Sequence, residues 1–95
     1  MKQMLFIALL IPYSNAFAFD IYGYCRQVSD AVGGSYQIEE ACRQQEREAQ
    51  TSLSRKQIPS RVEKYCREVG QTVGGSYQIM NACVEQELAA KARLR

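Results

Sequence analysis

Hydrophobic positions recur along residues 19–95 in steps of three and four, which is the spacing of one face of an α-helix. The pattern breaks at a pair of glycines and then restarts, and it does so twice. It therefore predicts four helices. Their expected inward-facing positions are Ile21, Cys25, Val28 and Val32; Ile38, Cys42, Gln45, Ala49 and Leu53; Val62, Cys66, Val69 and Val73; and Ile79, Cys83, Gln86, Ala90 and Leu94.

The two halves of the chain match each other when one is shifted by 41 residues. Residues 24–50 and 65–91 are identical at 16 of 27 positions. The longest shared run, Val-Gly-Gly-Ser-Tyr-Gln-Ile, begins at Val32 and again at Val73. Self-similarity at a fixed period is typical of a tandem repeat. We call two residues that lie 41 positions apart counterparts.

Each glycine pair is expected to form a tight turn between two helices. Glycine readily adopts the positive φ that ends a helix, and the serine that follows is a preferred N-cap residue. We call the two turns the first tip (Gly33, Gly34, Ser35 and Tyr36) and the second tip (Gly74, Gly75, Ser76 and Tyr77). The first helix has Asp20 as its expected cap. The third has a capping-box pattern, Ser60-x-x-Glu63, directly after Pro59.

The predicted fold is therefore all-α, with two tandem antiparallel helical hairpins. The sequence leaves open whether the two hairpins pack on each other as a small bundle. The hairpins occupy residues 19–50 and 60–95, and a polar connector spans residues 51–59. A chain of this length buries only about 60–65% of the surface it exposes when unfolded, so its core is thin. Covalent bonds are the usual supplement in domains of this size.

The four cysteines are placed to staple each hairpin. Cys25 and Cys42 are equidistant from the first glycine pair, and Cys66 and Cys83 from the second. Residues equidistant from the turn face each other in an antiparallel hairpin, so we predict the disulfides Cys25–Cys42 and Cys66–Cys83. Zinc sites favour cysteines two to four residues apart, and dithiol catalysts favour Cys-x-x-Cys. These alternatives, like unpaired thiols, fit the spacing less well, and no metal or other cofactor is expected.

The first residues have the layout of a cleaved signal peptide. Lys2 supplies a positive charge, an apolar run covers residues 4–11, and Ala16-Phe17-Ala18 is a signal-peptidase pattern. We expect residues 1–18 to be removed, with cleavage after Ala16 as the lesser option and a buried N-terminal helix as the alternative. The apolar run is too short for a stable membrane span. The protein is therefore expected in the periplasm or outside the cell, where disulfides persist.

Composition argues against several function classes. The chain has no His, and most acid–base, triad and zinc-hydrolase sites need one, so we expect no enzyme. A net charge of +2 provides no footprint for nucleic acid. Residues 19–50 carry a net charge of −3 and residues 51–62 one of +3. These segments are expected to form ordinary solvated faces, with attraction within or between chains as the alternative.

The two tips are the candidate binding surface. Their first-turn N–H groups suit an anion, and an exposed tyrosine suits a protein partner. The simpler interpretation is structural: the glycines make the turn, the serine caps the helix, the tyrosine covers the disulfide and the isoleucine extends the apolar stripe. We favour this structural interpretation, since each residue then has a structural role.

The Y-C…V-G-G-S-Y-x-I…A-C pattern, present in both halves, resembles that of small exported bacterial proteins of unknown function. The cysteine layout also resembles twin-cysteine helical hairpins. These resemblances imply no catalytic residue or ligand. The expected function is a non-enzymatic binding or structural module of the cell envelope or secreted space, with a protein partner. Two similar surfaces also suit a repetitive or dimeric partner by avidity. Self-association into a homo-oligomer is a separate alternative. The alternative is a small secreted effector or inhibitor that acts on an enzyme or a membrane.

Overall fold

The computed structural model describes residues 18–94, so the predicted signal segment lies almost wholly outside the described residues. Residues 18–94 contain four helices and no strand. The helices are α1 (Ile21–Ala31), α2 (Tyr36–Ser54), α3 (Ser60–Thr72) and α4 (Tyr77–Arg93). α1 pairs with α2, α3 pairs with α4, and α2 packs on α4. The prediction of an all-α fold built from two helical hairpins is confirmed.

Both turns have the predicted chemistry. All four tip glycines have positive φ, between +88° and +101°. The Oγ atom of Ser35 accepts a hydrogen bond from the N–H of Ile38 at 3.2 Å, and Ser76 accepts one from Ile79 at the same distance. Asp20 caps α1 through the N–H of Gly23 at 3.0 Å. Three of the four helix starts therefore follow the side-chain capping predicted from the sequence.

The start of α3 differs from the prediction. Pro59 is the N-cap residue, Ser60 is already helical, and no side chain caps this helix. Glu63 does not reach back to the helix start. It instead accepts a hydrogen bond from Arg67, one turn later, at 2.7 Å. The capping box is thus absent, because the chain enters the helix one residue earlier than the pattern implied. At the other end of the connector, α2 continues to Ser54.

Both predicted disulfides are present. Cys25 is bonded to Cys42 and Cys66 to Cys83, and the Cα atoms are 5.5 Å apart in each pair. Each bond closes a loop with a sequence separation of 17. In the chain-entropy model a loop of this size stabilises the folded state by about 3 kcal/mol. Each hairpin is therefore held by a covalent bond between its two helices.

The hydrophobic core cluster of the described residues lies where the two hairpins meet. It combines α2 with the second hairpin and contains Ala49, Leu53, Val62, Cys66, Tyr77, Met80 and Val84. Phe19, Ile21, Ile58, Cys83 and Leu88 pack against it and are partly buried. The core therefore depends on contact between the hairpins, in addition to contact within each one.

The predicted inward stripes are wrong at their ends. Val32 and Val73 are exposed because α1 and α3 end just before them. Leu94 is 83% exposed at the end of α4. Ile38 and Ile79, one turn into their helices, also lie at the surface.

The α2 stripe is displaced as well, since Gln45 is exposed while the adjacent Glu46 is fully buried. α4 buries Met80 and Val84, which were not predicted, because it packs on α2 as well as on α3.

Candidate functional site

A buried carboxylate joins the two hairpins. Glu46, in the middle of α2, is 0% exposed. It accepts hydrogen bonds from the Ser76 hydroxyl at 2.7 Å and from the Tyr77 N–H at 2.6 Å. The N–H and the side-chain amide of Gln78 also donate to it, at 3.4 Å and 3.1 Å. All four donors lie at the start of α4, where the helix dipole favours a negative charge.

This arrangement compensates the burial of a charge. A carboxylate withdrawn from water is costly unless hydrogen bonds and opposite charge replace its hydration. Here the replacement comes from the N-terminus of α4 and the second tip, and no salt bridge to Glu46 is found within residues 18–94. The burial of the Glu46 carboxylate therefore depends on the hydrogen-bond donors of the second tip. The same hydrogen bonds hold the second tip in place.

The second tip lies in a groove on the first hairpin, which we call the first groove. It lies between α1 and α2 and contains Tyr24, Glu46, Ala49 and Leu53. A Cβ atom at Gly74 would be 3.4 Å from the Gln27 Oε1 atom and 3.6 Å from the Tyr24 Cδ1 atom, so this tip contacts α1 directly. Ala49 and Leu53 lie in one cluster with Tyr77 and Met80.

Phe19 closes the first groove over the second tip. Its ring centroid is 4.8 Å from that of Tyr77, and its N–H donates to the Tyr77 hydroxyl at 2.9 Å. Gly70 gives the ring the space it needs, because a Cβ atom there would be 3.1 Å from two atoms of Phe19. Tyr77 is consequently only 7% exposed, and Ser76 is fully buried.

The first tip has the same sequence but is not docked. Tyr36 is 91% exposed, and Gly33 and Gly34 have no atom within 4 Å of the position where a Cβ would lie. Tyr36 borders a shallow depression of about 690 Å³, whose other lining residues are Arg26, Glu39, Glu40, Arg43 and Arg47. The two tips therefore have one turn geometry and two opposite environments.

The first tip is nevertheless held to α1 by hydrogen bonds. Ser29 is buried, donates to the backbone carbonyl of Ser35 at 2.8 Å and accepts from the N–H of the same residue at 2.7 Å. Next to the tip, Arg43 pairs with Glu39 at 2.6 Å and lies 4.1 Å from the ring centroid of Tyr22. An exposed tyrosine on a braced turn loses little conformational entropy when it binds a partner.

Sequence reasoning selected the right turns but treated them as equivalent. It missed Glu46, Phe19 and Gly70, the three residues that separate the docked tip from the free one. Glu46 left a signal, because the buried positions Cys42, Glu46, Ala49 and Leu53 follow steps of four, three and four. A charged residue on such a stripe is normally assigned to solvent, so the periodicity alone did not reveal its burial.

Residues 18–94 contain no group of three or more His, Cys, Asp or Glu side chains placed to hold a metal ion. Over the same range, no helix combines the length and hydrophobicity that a membrane crossing requires.

No protein-family model, curated protein or solved structure matches this chain. The geometry of the two tips is therefore the basis for a functional proposal.

Proposed function

We propose that this chain is a non-enzymatic binding module of the cell envelope or secreted space, and that the first tip is its recognition element. The observation that carries the proposal is the contrast between Tyr36, which is 91% exposed, and Tyr77, which is 7% exposed, on two tips of identical sequence. The second tip is docked against the first hairpin of the same molecule. The first tip has the same sequence, and its tyrosine is exposed to solvent.

The groups on the first tip favour a partner that carries a carboxylate beside an apolar groove. Ser35, Tyr36 and Gln37 repeat the residues whose hydroxyl, N–H and amide groups hold Glu46 in the docked tip. Tyrosine is a frequent anchor at protein interfaces because its ring is apolar and its hydroxyl is polar. The two disulfides support the proposed location, since such bonds persist in oxidising compartments.

The proposal is tested by recovering partners from an exported-protein fraction that also contains an untagged copy of this chain. We expect the tagged, oxidised chain to retain a partner and the Tyr36→Ala variant to lose it while keeping its melting temperature. Gln57→Ala, an exposed change in the connector, is the matched control and should retain the partner. Equal recovery by Tyr36→Ala and the unchanged chain would show that the first tip is not the recognition element.

A further inference from the structure

The second hairpin has a groove at the position that corresponds to the first groove, and residues 18–94 leave it open. We call it the second groove. It has a volume of about 550 Å³ and is lined by Pro59, Arg61, Val62, Tyr65, Glu87, Ala90, Lys91 and Leu94. Tyr65, Glu87, Ala90 and Leu94 are the counterparts of Tyr24, Glu46, Ala49 and Leu53. The residues that receive the second tip in one hairpin are therefore repeated in the other.

The exposure of these residues shows what the second groove lacks. Leu53 is 9% exposed under the docked tip, whereas its counterpart Leu94 is 83% exposed. Tyr65 is 52% exposed. Glu87, the counterpart of Glu46, lines the second groove without the four donors that the second tip supplies to Glu46. The second groove and the first tip thus correspond to the two surfaces that are already in contact between the hairpins, but neither of them is covered by residues 18–94.

Charged residues at the undocked tip and at the open groove differ from their counterparts. On the helix after the first tip, Glu39 and Glu40 replace Met80 and Asn81. On the second groove, Arg61 and Lys91 replace Asp20 and Gln50. The open groove has therefore become more basic. Near the start of α2 the undocked tip has gained two acidic residues, and in the turns that follow it has gained two basic ones, Arg43 and Arg47 in place of Val84 and Leu88. The two glutamates nearest the tip and the basic groove carry opposite charges, which favours an encounter between them.

The sizes of the side chains also match. Phe19 packs over the second tip because Gly70 leaves space for its ring. At the first tip the counterpart of Gly70 is Ser29, whose side chain would exclude a phenylalanine in that place. The second groove presents Ser60, a small residue, as the counterpart of Phe19. In the proposed contact Ser29 would thus lie against Ser60, so a moderate side chain on each surface replaces the glycine and phenylalanine of the docked contact.

We propose that the second groove binds the first tip of a second copy of this chain, in the same way that the first groove binds the second tip. Glu87 of one chain accepts hydrogen bonds from Ser35, Tyr36 and Gln37 of the next, and the Tyr36 ring lies against Ala90 and Leu94. The proposal rests on the proposed function, because it takes the first tip as the recognition element and identifies the partner as the chain itself. The contact is heterologous, so it builds rings or open head-to-tail filaments.

Sedimentation velocity of the purified, oxidised chain tests this directly. We expect the average mass of the unchanged chain to rise above that of a monomer as its concentration increases. Tyr36→Ala removes the aromatic ring of the first tip, and Glu87→Lys places a positive charge against a helix N-terminus. Each variant is expected to associate at least about tenfold more weakly, with an unchanged melting temperature. Gln57→Ala is the matched control and should assemble normally.

Mixing the two variants separates head-to-tail docking from other forms of association. The Tyr36→Ala chain keeps an intact second groove, and the Glu87→Lys chain keeps an intact first tip. An equimolar mixture should therefore form a dimer with one copy of each variant and nothing larger. A mixture that stays monomeric, or a variant that assembles like the unchanged chain, would overturn the proposal.

A photoreactive phenylalanine at position 36 distinguishes failure of this inference from failure of the proposed function. In an equal mixture of ¹⁴N- and ¹⁵N-labelled chains, we expect cross-links of mixed label between position 36 and residues 87–94. Cross-links to a different protein, with a monomeric unchanged chain, would overturn self-docking and leave the first tip as a recognition element. No cross-link at all, together with unchanged partner recovery by Tyr36→Ala, would overturn both.

Discussion

Glu46 is the residue whose environment departs most from its chemical type. Glutamate is rarely fully buried, and its burial here depends on four donors from the second hairpin. An interaction of this kind holds two elements in one relative orientation, since a shift of the second tip would leave a charge buried without partners. The residue thus links the stability of the molecule to the docking of one tip.

Glu46→Gln is expected to destabilise the fold by about 3 kcal/mol, because it replaces a charged acceptor of several hydrogen bonds with a neutral amide. For a domain of this size that corresponds to a melting temperature lower by at least about 10 °C. Glu87→Gln, at the counterpart position, should change stability by less than about 0.5 kcal/mol. Thermal unfolding followed by circular dichroism measures both. Equal effects at the two positions would contradict the role assigned to Glu46.

The two tip tyrosines give a second matched pair. Tyr77→Ala removes a ring from the core and is expected to cost about 3–4 kcal/mol. Tyr36→Ala removes a ring that is 91% exposed, and should cost less than about 0.5 kcal/mol. Urea unfolding of both variants at low concentration provides the comparison. A large loss of stability in Tyr36→Ala would mean that the first tip is part of the core.

At the scale of elements, the turns were predictable because their chemistry is local. A glycine pair permits positive φ, a serine caps the next helix, and cysteines equidistant from the turn face each other. The predicted capping box at Ser60 was wrong, because Pro59 is the N-cap residue and the helix starts one residue earlier. The environments of Glu46 and Met80 depend on a helix from the other hairpin, which no local pattern specifies.

Valine in place of a tip glycine tests the turn geometry. Gly34 has a φ of +88° and Gly75 one of +96°, where a β-branched residue is strongly strained. We expect Gly34→Val and Gly75→Val each to destabilise the fold by at least about 1–2 kcal/mol. Gly34→Asn is the control and should be less harmful, because asparagine adopts positive φ more readily. Chemical unfolding measures the stability of the three variants. A Gly34→Val variant as stable as the unchanged chain would contradict the assignment of this turn.

At the scale of the whole molecule, two hairpins of similar sequence are packed together without symmetry. One tip and one groove are used in the contact between them, and one of each is left over. The sequence predicted both hairpins and the residues at both tips. It did not reveal which tip is docked, because that difference arises from the packing of α2 on α4 and from Phe19 over Gly70.

The start of the mature chain is expected at Phe19. The Ala16-Phe17-Ala18 pattern predicts cleavage after Ala18, and the Phe19 N–H donates to the Tyr77 hydroxyl at 2.9 Å. Cleavage there would place the new amino group at the edge of the docked tip without removing any residue of the first groove. The intact mass of exported protein, measured before and after reduction, tests this. A mass that retains residues 1–18 would contradict it.

Amide hydrogen exchange, resolved at single residues, tests most directly that one tip is docked and the other is free. It is measured in the unchanged chain at a concentration low enough to keep it monomeric. The N–H groups of Tyr36 and Tyr77 lie at the same position of identical turns, but only Tyr77 is bound to Glu46. Exchange at the Tyr77 N–H is expected to be slower than at the Tyr36 N–H by about 100-fold or more, since Tyr77 must undock before it exchanges. Equal exchange rates at the two positions would contradict it.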